Sequence, residues 1–90
     1  MKFGIIGLGN IGRVHAKNIQ DGLVEGAELV AVANQPIESM NDFKEQGISC
    51  FVDASELIES GLCDAVIVAL PTHLHAPIGI QALEAGLHLV

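Results

Sequence analysis

Hydrophobic and polar positions along this chain fall into alternating blocks. Short apolar runs rich in Ile, Val and Ala are each followed by a stretch in which apolar residues recur every three or four positions. The first kind of block predicts a buried strand, and the second predicts an amphipathic helix. The pattern predicts strands over 3–7, 28–34, 48–52, 64–70 and 87–90, and helices over 11–22, 36–47, 53–61 and 76–86.

Local signals support the helix boundaries. In the first helix, Ile11, Val14 and Ile19 are expected to share the buried face. The second begins at a proline and ends at a glycine, the asymmetry typical of helices, and the third carries a capping box from Asp53 to Glu56.

The strands are apolar throughout, which is typical of a parallel sheet covered by helices on both faces. Right-handed crossovers then predict one doubly wound α/β domain over 1–90, a Rossmann-type sheet with strand order 3-2-1-4-5. Because Val90 lies in an apolar strand, we expect the sheet to be incomplete at its C-terminal end and the chain to be a fragment.

Charge and composition exclude several classes of partner. The chain has 4 Lys and Arg against 11 Asp and Glu, a net charge of −7, so it lacks the cation clusters that bind nucleic acid. No apolar run is long enough for a bilayer span. Cys50 and Cys63 show no disulfide or zinc spacing and are expected as small core residues. These features predict a cytoplasmic protein with no nucleic-acid or membrane partner.

The segment GIIGLGNIGR contains the motif G-x-G-x-x-G at Gly7, Gly9 and Gly12. The motif is informative here because it follows a predicted strand and opens a predicted helix. Gly7 would allow a tight turn, Gly9 would let a pyrophosphate approach the backbone, and Gly12 would let helix and strand pack closely. Unpaired amides from Asn10 and Ile11 onward would face that anion. A glycine-rich turn without a ligand is the alternative.

Asn34 ends the second predicted strand, where an adenosine ribose would lie. An Asp or Glu there is typical of NAD sites. A carboxylate would repel a 2′-phosphate, and Asn removes that repulsion. Since no Arg follows in NQPIESM, NAD is slightly favoured over NADP. A plain turn role for Asn34 remains the alternative.

The fourth strand leads into LPTHLHAP, near the predicted switch point of the sheet. Leu70, Pro71, Thr72 and His75 are therefore candidates for contact with the nicotinamide half of a dinucleotide. A capping role for Thr72 or His73 is compatible with that contact. The two histidines indicate no metal site, because no third ligand has suitable spacing.

These segments, and above all PTHLHA followed by ALEAGLH, resemble the amino-terminal domain of the Gfo/Idh/MocA oxidoreductases, the glucose–fructose oxidoreductase and inositol dehydrogenase family. The resemblance covers nearly the whole chain. It implies an NAD(P)-dependent dehydrogenase of sugars, polyols or related hydroxy compounds, with Gly7 to Gly12 as the phosphate loop, Asn34 at the ribose and Pro71, Thr72 and His75 on the nicotinamide side. Leu70 and Leu87 depart from residues common in the family.

The resemblance also places a catalytic Lys, in a Glu-Lys-Pro motif, a few residues after Val90, and further catalytic residues in a second domain. No catalytic residue is therefore named within the chain. We expect the parent protein to be a homo-oligomeric enzyme, and the 90 residues alone to be inactive and to self-associate or be marginally stable. Two alternatives stay open: an aspartate-type amino-acid dehydrogenase, and a non-catalytic dinucleotide-binding sensor or scaffold. Substrate identity does not follow from these residues.

Overall fold

A computed structural model describes the backbone of residues 1–90 and every side chain except that of Thr72. Strands and helices alternate as predicted: β1 (Lys2–Ile6), α1 (Asn10–Gln20), β2 (Glu28–Ala33), a 3₁₀ turn (Ile37–Met40), α2 (Asn41–Glu45), β3 (Ser49–Phe51), α3 (Ala54–Glu59), β4 (Ala65–Val68), α4 (Thr72–Glu84) and β5 (His88–Leu89).

The five strands form one parallel sheet in the order β3-β2-β1-β4-β5, which confirms the predicted doubly wound topology. β1 lies at its centre, with Ile5 opposite Val32 of β2 and Ile67 of β4. Backbone pairing continues past the strand ends, where the Gly7 amide donates to the Ala33 carbonyl at 2.8 Å. This continuation fixes the start of the β1–α1 loop against the end of β2.

Helices cover both faces of the sheet, so successive strand residues enter different cores. Ile5 packs with Ala16 and Ile19 of α1, whereas Ile6 packs on the opposite face with Leu57 of α3. The side chains of these isoleucines and of Leu57 are each at most 5% exposed. Burial on both faces explains why the central strands β1, β2 and β4 are largely apolar.

The predicted buried face of α1 is partly wrong. Ile11 and Val14 are 69% and 57% exposed, and the buried residues of the helix are Gly12, Ala16 and Ile19. Spacings of four and three residues place these three on one stripe. Gly12 decides the rotation of the helix, because it lies against the loop that follows β1.

Two further helices differ from the predictions in their boundaries. The stretch predicted as one helix over 36–47 is a 3₁₀ turn followed by a short α2, and α4 begins at residue 72 rather than 76. Asp53 is the N-cap of α3, as its capping box predicts, but its side chain makes no capping hydrogen bond. Both cysteines are free; Cys63 is buried, whereas Cys50 is only partly buried.

Burial also affects the chemistry of the thiols. Desolvation, with a smaller contribution from the Asp64 carboxylate, raises the pKa of the Cys63 thiol to about 11. The pKa of Cys50 is also raised by burial. Both thiols are therefore protonated at neutral pH, as expected of residues that serve in packing.

Within the part of the chain that the structure describes, no helix combines the length and apolar character needed to cross a membrane.

Candidate cofactor site

The turn out of β1 depends on Gly7. Its φ of +93° lies in the region that side chains rarely adopt, and a Cβ built on it would come within 2.6 Å of the Ala69 carbonyl oxygen. Ala69 in turn donates its amide to the Ile6 carbonyl at 2.8 Å. Gly7 therefore makes the tight turn that the motif predicts, and it does so against the residue that follows β4.

Gly12 lets α1 pack directly on this turn. A Cβ at Gly12 would lie 2.0 Å from the Gly7 carbonyl oxygen, much closer than any real contact. Any larger residue would push the first turn of α1 away from the end of β1. The structure thus shows the close helix packing predicted for the third glycine of the motif.

Gly9 differs from the other two glycines of the motif. It is exposed, its φ of −71° and ψ of −167° suit any residue, and none of the described residues lies within 4 Å of a Cβ built on it. It occupies the N-cap of α1, where Ser, Thr, Asp or Asn would supply the capping bond that glycine lacks. The fold of the chain therefore gives no reason for a glycine at this position.

Open space at Gly9 adjoins the amino-terminal end of an eleven-residue helix. Asn10 and Ile11, the first residues of α1, are exposed, and the amides of a first helical turn have no partner one turn earlier in the helix. With the helix dipole these amides carry about half a positive charge. The loop can therefore accept an anion that approaches the backbone closely.

A cleft of about 290 Å³ opens at the carboxyl ends of the strands. Its lining comes from the ends of β1 and β2 and from the segments that follow β2, β3 and β4: Ile6, Ala33, Asn34, Gln35, Val52, Asp53, Ala54, Leu70 and Leu74. Most of these side chains are apolar, with Asn34, Gln35 and Asp53 as the polar members. In doubly wound sheets ligands bind at this edge.

Both ends of the Asn34 amide are engaged by the protein. Its Oδ1 accepts the Leu8 amide at 3.1 Å, and its Nδ2 donates to the Ser39 Oγ at 2.8 Å. The Ser39 hydroxyl then donates to the Pro36 carbonyl at 2.6 Å. Asn34 therefore connects the glycine loop to the 3₁₀ turn, and one donor and one lone pair of its amide stay available for a ligand.

Arg13, on the first turn of α1, also reaches the segment after β2. Its Nη1 lies 3.0 Å from the Asp42 Oδ2, its Nη2 donates to the Ser39 carbonyl at 2.7 Å, and its guanidinium lies 5.4 Å from the centre of the Phe43 ring. The sequence shows no arginine in the segment that follows Asn34. The folded chain instead supplies one from α1.

The candidate residues after β4 surround the start of α4. Leu70 is half-buried and lines the cleft, Pro71 is the N-cap of α4, and His73 and His75 are exposed on its first turns. The side chain of Thr72 lies outside the described residues. Because Pro71 holds the N-cap position, His73 lies inside the helix and is not its cap.

The predicted site residues thus fall into three groups. Asn34 and Leu70 meet in the cleft, and Asn34 is joined to the glycine loop through Leu8. Gly7, Gly9 and Gly12 form the neighbouring turn, whereas Pro71 and His75 lie outside the cleft lining. The sequence did not predict Val52, Asp53 and Leu74 in the cleft. Val52 and Asp53 come just after β3 and Leu74 lies in the first turn of α4, and these positions at the carboxyl ends of strands could have indicated them.

A parallel sheet in this order, with a glycine turn at its central strand and a cleft at the carboxyl edge, defines the Rossmann-like class of domains. Comparison with known proteins identifies the family within that class. The family model described as "Oxidoreductase family, NAD-binding Rossmann fold", Gfo/Idh/MocA, matches residues 1–90. The chain belongs to this family of oxidoreductases, which confirms the resemblance found in the sequence.

Two similar relatives are named as inositol dehydrogenases. The chain is 34% identical over 91 aligned residues to myo-inositol 2-dehydrogenase of Thermotoga maritima, covering 99% of the chain and 27% of that protein. It is 38% identical over 85 residues to scyllo-inositol 2-dehydrogenase (NAD(+)) of Bacillus subtilis, covering 91% of the chain and 24% of that protein. The chain therefore spans about a quarter of the length of these relatives.

Among solved structures, scyllo-inositol dehydrogenase from Lactobacillus casei with bound NAD(H) and scyllo-inositol is similar with a TM-score of 0.87. The identity is 34%, and the match covers 99% of this chain and 26% of that one. The similarity lies in the NAD-binding domain that the family model describes.

Proposed function

We propose that this chain is the cofactor-binding part of an NAD-dependent dehydrogenase that moves a hydride between nicotinamide and a hydroxyl-bearing carbon of a cyclic polyol. The observation that carries the proposal is Gly9. The fold leaves open space where its side chain would stand, although the conformation there suits any residue. A glycine that the chain itself does not need is explained by a ligand that needs the space.

A dinucleotide fits this loop in shape and in charge. Its pyrophosphate would lie over Gly9 and accept hydrogen bonds from the first amides of α1, including those of Asn10 and Ile11. Gly7 and Gly12 hold the turn and the helix in the position that makes this approach possible. The nicotinamide, when bound, supplies the hydride acceptor or donor, and the protein supplies binding and orientation.

The cleft suits the adenosine half of the cofactor. Most of its lining side chains are apolar, and Asn34 contributes the free donor and lone pair of its amide. A ribose hydroxyl can use both. The nicotinamide half would then lie toward Leu70, Pro71, Thr72 and His75, across the switch point between β1 and β4.

The polyol substrate is proposed from the family relatives. Two relatives of this chain are named for inositols, and the solved neighbour contains scyllo-inositol together with NAD(H). In a hydride transfer from such an alcohol, the hydroxyl proton must also leave, and we assign that proton to a residue outside positions 1–90.

The test uses the full-length protein. Calorimetric titration with NADH measures cofactor binding, and the absorbance of reduced nicotinamide then follows turnover with myo-inositol, scyllo-inositol and L-aspartate, each with NAD. Turnover with an inositol supports the proposal. Turnover confined to aspartate would assign the alternative dehydrogenase class, binding without any turnover would indicate a sensor, and no binding would refute the cofactor site itself.

A further inference from the structure

An ion pair lies beside the residue expected at the adenosine ribose. The Nη1 atom of Arg13 lies 3.0 Å from the Oδ2 atom of Asp42, and the two side chains are 43% and 54% exposed. The Ser39 carbonyl accepts a second hydrogen bond from the same guanidinium, at 2.7 Å. The pair thus joins the start of α1 to the segment that follows β2.

This guanidinium is close to Asn34. The Ser39 residue that accepts from Arg13 through its carbonyl also accepts from the Asn34 amide through its hydroxyl, at 2.8 Å. One residue therefore separates Arg13 from the side chain proposed to meet the ribose. NADP differs from NAD by a phosphate on the 2′-oxygen of that ribose, and arginine is the side chain best suited to bind a phosphate.

We propose that Asp42 sets the preference for NAD by holding Arg13 in this ion pair. The Asp42 carboxylate takes up one donor of the guanidinium and adds a negative charge where a 2′-phosphate would need a positive one. NAD has no 2′-phosphate, so its binding requires neither the guanidinium donor nor the positive charge. The inference rests on the proposed function, because it concerns the same cofactor site.

The ion pair between Arg13 and Asp42 can be changed without unfolding the domain. Both side chains are about half exposed, and an ion pair of that kind contributes little to folding, so the contact can be removed without loss of the domain. A hydrogen bond to a charged group contributes more, enough to change a binding constant by about tenfold or more. Loss of Asp42 should therefore appear mainly in cofactor choice.

The experiment measures the ratio of the dissociation constants for NADPH and NADH on the full-length protein. In Asp42→Asn we expect this ratio to fall by about tenfold or more in favour of NADPH. The matched control is Asp21→Asn. It removes the acid of the other ion pair on α1, with Lys17 at 2.9 Å and a similarly exposed carboxylate, and should leave the ratio within about twofold.

A double variant tests whether Arg13 is the residue released. In Arg13→Gln combined with Asp42→Asn, the gain for NADPH should disappear. The proposal is overturned if Asp42→Asn leaves the ratio unchanged, if Asp21→Asn changes it equally, or if the gain survives without Arg13. Failure to bind NADH in the unmodified protein would instead refute the proposed function, so the two failures are distinguishable.

Discussion

Gly9 and Gly12 should respond in opposite ways to substitution, although both belong to one motif. In Gly9→Val the new side chain enters open space in an allowed conformation, so folding should be nearly unaffected. Valine reduces the freedom of the unfolded chain, which stabilises the fold, but it is a poorer N-cap than glycine, which destabilises it. Because these effects oppose one another, the net change in unfolding free energy should stay within about 1 kcal/mol. Cofactor binding should be lost, because the pyrophosphate needs the same space.

Gly12→Ala supplies the contrast. Its Cβ would meet the Gly7 carbonyl oxygen at 2.0 Å, so the first turn of α1 must move away from β1. Overpacking of this kind costs about 1–3 kcal/mol of stability, and the nearest atoms are backbone atoms of Gly7 and the Cβ of Ala69 rather than the end of a flexible side chain. This variant should therefore unfold at a lower denaturant concentration.

Two measurements on the full-length protein separate these outcomes. Denaturant unfolding reports the free energy of unfolding, and calorimetric titration reports NADH affinity. For Gly9→Val we expect near-normal stability with an affinity at least about a hundredfold weaker, equivalent to about 2.7 kcal/mol. If a stable Gly9→Val protein binds NADH as tightly as the unmodified protein, the pyrophosphate does not lie over this glycine and the argument is wrong.

Three further substitutions test other parts of the structure. Leu74→Ala removes an apolar part of the cleft lining and should weaken NADH binding by about fivefold in titration, whereas Leu83→Ala, on the same helix but outside the cleft, should not. Asn34→Asp places a carboxylate beside the expected 2′-oxygen, so the catalytic-efficiency ratio of NAD to NADP should rise; an unchanged ratio would place Asn34 away from the ribose. The pKa of the Cys63 thiol is about 11 in the folded protein, so the thiol loses its proton at a lower pH in the unfolded chain than in the folded one. The free energy of unfolding should therefore fall as the pH rises from about 9 to 11. Unfolding midpoints across that range should show the decline in the unmodified protein and less of it in Cys63→Ala.

The strand order and the roles of two glycines follow from the sequence because local and global signals agree there. Uniformly apolar strands require cover on both faces, and a glycine turn after the first strand leaves few ways to wind the chain. Gly7 and Gly12 then satisfy needs of the backbone itself, a positive φ and a close helix contact.

The orientation of α1 could not be predicted from the same rules. Ile11 and Val14 suggested a buried face by their hydrophobicity, yet a glycine and an alanine pack against the sheet instead. Close approach of helix and strand selects small residues, so Gly12 and Ala16 lie in the buried stripe beside Ile19, while two larger apolar side chains of the helix are exposed. Hydrophobic periodicity gives most weight to large apolar side chains, so it predicts the burial of Ile19 correctly and that of Ile11 and Val14 wrongly.

The contacts of Asn34 and Arg13 escaped prediction for a different reason. Each joins segments more than 20 residues apart, through Leu8 in one case and Asp42 in the other, and no local pattern encodes such a pair. Absence of an arginine after Asn34 favoured NAD slightly, because no arginine in that segment could hold a 2′-phosphate. The fold brings one from the helix that begins at the glycine loop. Under the proposal made for Asp42, the choice of cofactor depends on what that arginine contacts rather than on whether one is present.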